Sequence, residues 1–344
     1  MSRHATATKE SLITGTTRSS GAGSAADGTV GALGEFGLIA ALTARLPSGP
    51  LVDLGPGDDA AVVRAPDGRV VATTDVLVEG VHFRRDWSTA VDVGHKAAAQ
   101  SLADVAAMGA EPTTLLVGLA VPSDVEVEWV LGLADGLAEE CAVVGASVVG
   151  GDVVRSATLT IAVTALGDLH GRSAVTRAGA LPGDLVAVCG KLGWAAAGLA
   201  VLTRGFRSPR IVVDAHRRPA PPYDAGPSAA DAGATAMCDV SDGLLADLGH
   251  LAEASDVSID LDGAALVPDV PLAELAPALG VDASTWVLGG GEDHALVATF
   301  RTRKALKKAG TQWRQIGVVA AGAPTVTIGG VEPAIGQRGH DHFR

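Results

Sequence analysis

The stretch Met237-Cys238-Asp239-Val240-Ser241-Asp242-Gly243 sets two carboxylates three residues apart and ends on a glycine. Leu244, Leu245, Leu248 and Leu251 follow at the spacing of one helix face. Ser241 or Asp242 is then the expected N-cap, because a side-chain oxygen there accepts from the free N–H groups of the first turn. For one such segment a capped helix is a sufficient account. Here, however, acidic turns recur at Gly57-Asp58-Asp59, Thr73-Thr74-Asp75, Ser101-Leu102-Ala103-Asp104 and Gly150-Gly151-Asp152. A fold for this chain has to accommodate acids at the ends of many separate elements.

The net charge of −13 sharpens that requirement. It excludes a nucleic-acid-binding face, which needs basic residues. It also makes any phosphate ligand unwelcome: like unit charges about 4 Å apart repel by about 4 kcal/mol at an effective dielectric of 20. A phosphate-binding role therefore calls for divalent cations. The 344 residues suffice for two domains, and 47% hydrophobic with 19% charged residues is an ordinary globular balance. No apolar run reaches bilayer-spanning length, and no secretory signal opens the chain. Cys141, Cys189 and Cys238 share no metal-ligand spacing and read as buried thiols of a cytoplasmic protein.

Residues 1–30, rich in Ser, Thr, Gly and Ala, are predicted to be a disordered tail. Strands are expected at 70–75, 114–121, 146–149, 158–166, 185–189, 259–261, 295–300 and 313–319, with helices at 34–46, 94–108, 126–140 and 194–202. This order fits an α+β architecture. Turn residues between Arg172 and Asp184 mark a junction, giving an N-terminal domain over 31–170 and a C-terminal one over 171–344. The proline-containing stretch 203–235 reads as loop. On the helix at 94–108, Lys96, Gln100 and Asp104 share one polar stripe, either a solvated face or, given their small neighbours, a packed one.

Asp and Thr oxygens are hard ligands, suited to magnesium and not to zinc. Gly150-Gly151 and Gly289-Gly290-Gly291 would let backbone N–H groups approach a phosphate. No P-loop or kinase-type His-Arg-Asp loop occurs, so a nucleotide would be held through metal ions and not by a lysine cradle.

Taken in order, these motifs, with His82-Phe83, Asp247-Leu248-Gly249-His250, Gly290-Gly291-Glu292-Asp293 and the closing Asp341-His342-Phe343, resemble the thiamine-monophosphate kinase family over residues 34–343. That family lies within the aminoimidazole-ribonucleotide synthetase superfamily. The resemblance implies an N-terminal α/β domain that binds ATP and magnesium and dimerises through its sheet, and a C-terminal α+β domain. It implies direct in-line transfer from ATP to thiamine monophosphate, the last step to thiamine diphosphate, with several magnesium ions. By resemblance Asp59, Thr73, Thr74, Asp75, Asp104, Asp152, Asp239 and Asp242 are metal ligands, with Asp75, Asp104 and Asp242 closest to the chemistry. Gly151, Asp152, Arg177 and Ser241 resemble ATP contacts, and His82 and Glu292 contacts to thiamine monophosphate. Where the family tends to place an aromatic residue before the closing motif, this chain has Gln337, with His340 as an alternative contact.

Within the superfamily, a selenophosphate synthetase needs a reactive Cys or selenocysteine near the N-terminus, and no Cys precedes Asp59. A hydrogenase-maturation dehydratase needs a C-terminal Cys, and this chain ends His342-Phe343-Arg344. Purine-pathway synthetases would lack the His82 and Glu292 contexts. A non-catalytic dimeric nucleotide- or metal-binding protein is the alternative of a different class.

Overall fold

The computed structural model describes residues 28–56 and 60–333. Most of the expected tail, together with Asp59, Gln337 and His340, lies outside the described residues. The N-terminal half runs α1 (Val30–Leu33), α2 (Glu35–Thr43), β1 (Val52–Leu54), β2 (Val62–Val63), β3 (Val71–Val78), α3 (Ala90–Ala107), β4 (Glu111–Val121), α4 (Val127–Val144), β5 (Ser147–Arg155) and β6 (Thr160–Asp168). The C-terminal half runs β7 (Leu185–Cys189), α5 (Trp194–Thr203), α6 (Arg210–Arg217), α7 (Ala225–Ala232), β8 (Ala234–Val240), α8 (Leu244–Ser255), β9 (Ser258–Leu261), α9 (Val270–Leu279), α10 (Ala283–Gly289), β10 (Ala295–Phe300), α11 (Arg303–Ala309), β11 (Arg314–Ala320) and β12 (Thr325–Ile328).

Each half is built on one sheet. The first has strand order β3-β6-β4-β5 and the second β12-β9-β11-β7-β10-β8. Both mix parallel and antiparallel pairs, so the α+β expectation holds. Helices α3 and α4 cover one face of the first sheet and bury Leu102, Leu115, Leu133 and Ile161 with it. The second sheet is covered on both faces. One face packs Val188, Leu248 and Ile259 with α5 and α8; the other packs Met237, Phe300 and Trp313 with α7 and α11. Ala107 at the end of α3 belongs to that last cluster, so α3 serves both halves.

This shared helix decides where the site lies. β3 is the edge strand of the first sheet and β8 the edge strand of the second, and α3 packs against both. Small residues at Ala97, Ala98, Ala103 and Ala106 allow that close double contact.

Two expectations are corrected. The stretch 203–235 contains two helices, α6 and α7, because its prolines sit where helices tolerate them: Pro209 is the N-cap of α6 and Pro227 lies in the first turn of α7. Gly150-Gly151 is not a turn after a strand but the middle of β5, paired in parallel with Leu116 and Val117 of β4. A Cβ on Gly151 would lie 1.9 Å from the Val117 carbonyl oxygen, so close passage of the two strands explains that glycine.

A buried polar network also joins the halves. His95 of α3 lies 2.7 Å from Glu140 of α4, whose other oxygen accepts from the Tyr223 hydroxyl at 2.5 Å. The bond to Glu140 raises the His95 pKa even though burial opposes it. The folded state thus binds the His95 proton more tightly than the unfolded chain does. Its contribution to stability is complete below the ordinary histidine value of about 6.5 and is lost as pH rises through the raised value. Denaturant unfolding followed from pH 6 to pH 9 should show that fall, and His95→Gln should flatten it; an unchanged slope would count against the network.

Candidate active site

The loop after β8 holds the first acids. Its geometry differs from the expected cap: Gly243 is the N-cap residue of α8, and neither Ser241 nor Asp242 caps. Instead Asp247, from inside the helix, accepts from the Asp242 and Gly243 N–H groups at 3.1 and 3.0 Å. A carboxylate in the first turn is favoured there by the helix dipole as well. Ser241 and Asp242 are left to line a cavity of about 1230 Å³ between the two halves.

α3 and β3 supply the facing acids. Thr73 and Asp75 alternate on the face of β3 turned to α3. Thr73 Oγ1 donates to Asp104 Oδ2 at 2.7 Å, and Ser101 Oγ donates to Asp75 Oδ2 at 2.7 Å. Burial, and then the negative charges of Asp239 and Asp75, push the Asp104 carboxyl up to about 7. Burial, with Asp239 and Asp242 beside it, pushes Asp247 up to about 7 as well, against its two backbone donors. Acids from β3, α3 and β8 therefore feel one another's charge, as the sequence reading requires. Asp239 is buried, with Oδ2 3.0 Å from His294 Nδ1. Burial opposes a proton on His294, but the bond to Asp239 and the charges of Asp239, Glu292 and Asp104 together raise the His294 pKa.

Such a set suits a hard divalent cation chemically, since mutual repulsion among carboxylates is what a cation relieves. Among the described residues, no three His, Cys, Asp or Glu side chains already stand in a metal-holding arrangement.

The substrate-side candidates line the same cavity. His82 accepts on Nδ1 from the Val78 N–H at 3.0 Å, which fixes its ring. Glu292 stands at a φ of 66°, in the left-handed region, as does His294 at 50°. Three bonds hold this loop: Glu292 N–H to Ser241 O at 2.8 Å, His294 N–H to Val240 O at 3.1 Å, and the Asp293 carboxylate on the Gly193 and Ala195 N–H groups. Gly291 is there because a Cβ would lie 2.2 Å from that same Ser241 oxygen, and Gly290 donates its N–H to Trp286 O within α10. The glycine run thus serves chain-to-chain contact.

Sequence reasoning missed the partners of Glu292. Lys96 Nζ lies 2.7 Å from one carboxylate oxygen, and His216 Nδ1, from α6, 3.2 Å from the other. Burial opposes ionisation of Glu292, but Lys96 and His216 hold its carboxyl well below the usual range. Burial, and then the Lys96 charge, lower the His216 pKa. The stripe on α3 was the available signal: Lys96 meets Glu292, Gln100 lines the cavity, and Asp104 meets Thr73. It is a packed face. His216 had no such signal, because α6 was read as loop.

Other candidates stand further out. The Met237 N–H bonds Thr176 O, so Arg177 runs along the outer edge of β8, with its guanidinium at the Cys238 thiol. The cavity also wraps the edge of β3 to Thr74 and Val76, on the face of the sheet away from α3. Asp152 is on that open face too, in register with Gly118, Ala162 and Val76, three strand spacings or about 14 Å from β3. It is exposed, and Gly151 faces the other way.

Comparison with known proteins agrees with this architecture. Residues 57–169 match the AIR synthase related protein N-terminal domain, and residues 182–329 the corresponding C-terminal domain. The thiamine-monophosphate kinase of Mycobacterium tuberculosis is 48% identical over 305 residues, covering 88% of this chain and 90% of that protein. The crystal structure of thiamine-monophosphate kinase from Stenotrophomonas maltophilia K279a superposes with a TM-score of 0.76 at 33% identity, over 86% of this chain and 96% of that one. AaThiL complexed with AMPPCP and TMP superposes with a TM-score of 0.72 at 33% identity, over 90% and 98%. With both of its domains matched and nearly half of its residues shared with a full-length relative, the chain belongs to the thiamine-monophosphate kinase family.

Proposed function

We propose that the chain transfers the γ-phosphate of ATP to thiamine monophosphate, giving ADP and thiamine diphosphate, by direct in-line displacement without a phosphoenzyme. The observation that carries this reading is the meeting of two edge strands, β3 and β8, across α3, which lines one cavity with Asp75, Asp242, His82 and Glu292 together. At about 1230 Å³ it exceeds the roughly 300–1,000 Å³ usual for a single small ligand, so a donor and an acceptor fit side by side. The complex of AaThiL with AMPPCP and TMP supports the same pairing of ligands.

Positioning and charge neutralisation do most of the work in phosphoryl transfer. Magnesium, when bound, would neutralise the phosphates and the developing charge. Asp59, Thr73, Thr74, Asp75, Asp104, Asp152, Asp239 and Asp242 are assigned to hold it, with Asp75, Asp104 and Asp242 nearest the transferred group. Thr73 and Ser101 orient Asp104 and Asp75, and Asp247 fixes the turn that presents Ser241 and Asp242. ATP is assigned to Gly151, Asp152, Arg177 and Ser241. The small residues Ala162 and Gly118 between Val76 and Asp152 support a nucleotide lying across the open sheet face. Thiamine monophosphate is assigned to His82 and Glu292, where Trp87 and Trp286 offer ring surfaces. Gln337 belongs to this group by resemblance alone.

The remaining assignments are of the same kind. Residues 31–170 would form the ATP- and magnesium-binding, dimerising domain and 171–344 the C-terminal domain. Val76, Leu116 and Val154 are 47%, 38% and 50% exposed on the open sheet face, which supports a homodimer closed over it. Three buried, unpaired cysteines support a reducing cytoplasm, and no helix among the described residues is long and apolar enough to cross a membrane.

The test is ADP release with magnesium and ATP, with thiamine monophosphate supplied or withheld, and the product identified by phosphorus NMR. Turnover is expected only with thiamine monophosphate and only as the diphosphate. Equal ADP release without it, or none with it, would overturn the proposal.

A further inference from the structure

We infer that Lys96 is a positioning residue that ties together the two groups assigned to the acceptor, and so sets selectivity for that substrate alone. The inference rests on the acceptor assignment above. Lys96 is 3% exposed, yet from α3 it reaches two residues that line the cavity, His82 and Glu292. Its ammonium donates to Glu292 Oε1 at 2.7 Å and to the backbone oxygen of His82 at 3.1 Å. Those two residues belong to different halves of the chain, and the same buried cation bonds both.

The arrangement has a chemical consequence. Lys96 and Glu292 form a buried pair of opposite charge, beside which burial lowers the His216 pKa. The pair itself carries no net charge, so it does not attract the acceptor's positive ring over long range. What Glu292 offers is acceptor lone pairs on a carboxylate whose orientation is fixed, facing the cavity from a residue one-third exposed. Such a site reads hydrogen-bond donors by position, and position is what Lys96 supplies. Removing one partner of a buried pair leaves the other uncompensated, so Lys96→Met alone would release or reorient Glu292.

The experiment is a double-mutant cycle on the full chain with Lys96→Met, Glu292→Gln and the double variant, reading KM for thiamine monophosphate, KM for ATP, kcat and melting temperature. Each single variant should raise KM for thiamine monophosphate at least about tenfold and leave KM for ATP within about twofold. The double variant should raise KM for thiamine monophosphate by well under the product of the two single effects, because the carboxylate that the lysine positions is already altered in it. Multiplying effects, an equal rise in both KM values, or no change in KM for thiamine monophosphate would overturn the inference. Should Lys96→Met fail to fold, the double variant, which leaves no unpaired charge, still decides. A KM for thiamine monophosphate within about threefold of that of Glu292→Gln supports the inference, and a larger rise overturns it. Failure of the underlying reading is distinguishable, because the unmodified chain would then leave thiamine monophosphate unphosphorylated.

Discussion

Asp75→Asn is expected to lower kcat by about a thousandfold or more while moving the melting temperature by only a few degrees. The substitution keeps the side chain's shape, and its oxygen can still accept from Ser101, which now donates to Asp75 at 2.7 Å. The neighbouring Leu77 and Leu102 remain buried as before. What is lost is one negative charge in the group proposed to hold cations against transferring phosphates. Removing a single preorganised electrostatic group from such a site costs about 10²–10³ in rate, and more where metal loading falls with it. An ADP-release assay at saturating ATP and magnesium measures the loss, and circular dichroism reports the fold. Near-normal turnover would remove Asp75 from the cation-binding set.

The second large effect is expected at Gly291, where the cause is steric. Gly291→Ala brings a methyl group to 2.2 Å from the Ser241 carbonyl oxygen, an impossible approach, so the loops at 239–243 and 289–294 must separate. Overpacking of this kind costs about 1–3 kcal/mol. The separation also breaks the Glu292 N–H bond to Ser241 O, which holds Glu292 against the residue next to Asp242 in the cavity lining. Turnover should therefore fall at least about tenfold along with the melting temperature. Gly249→Ala is the control: it lies in α8 with nothing within 4 Å of an added Cβ, and it should stabilise by about 0.5–1 kcal/mol. If Gly291→Ala behaved like Gly249→Ala, the contact between the two loops would not matter.

Much of the fold was legible where local pattern and tertiary demand agree. β7 and β10 were expected at their observed bounds, since each is a short apolar run closed by turn residues and buried on both faces. α6 was missed because its prolines were read as breakers, although Pro209 precedes the first turn and breaks nothing. Its buried Val212, Val213 and His216 carry a helical spacing that the surrounding prolines obscured. The cap of α8 was misassigned for a related reason. Ser241, Asp242 and Asp247 all have the chemistry to satisfy a first turn, and only the backbone path of the loop selects Asp247.

For the site, the sequence by itself determined the inventory: hard oxygen donors scattered over many separate elements, an excess of negative charge that phosphate binding would have to offset, and a polar stripe on an otherwise small-residue helix. Those are properties of composition and spacing, and they survive in any fold. Only the tertiary structure decided which donors meet. It brought two sheet edges together over α3, turned the Lys96–Gln100–Asp104 stripe inward, and set Asp152 on the opposite face from Asp75. The reason is that strand order and register are set by contacts between residues far apart in the chain, and those contacts leave no local mark.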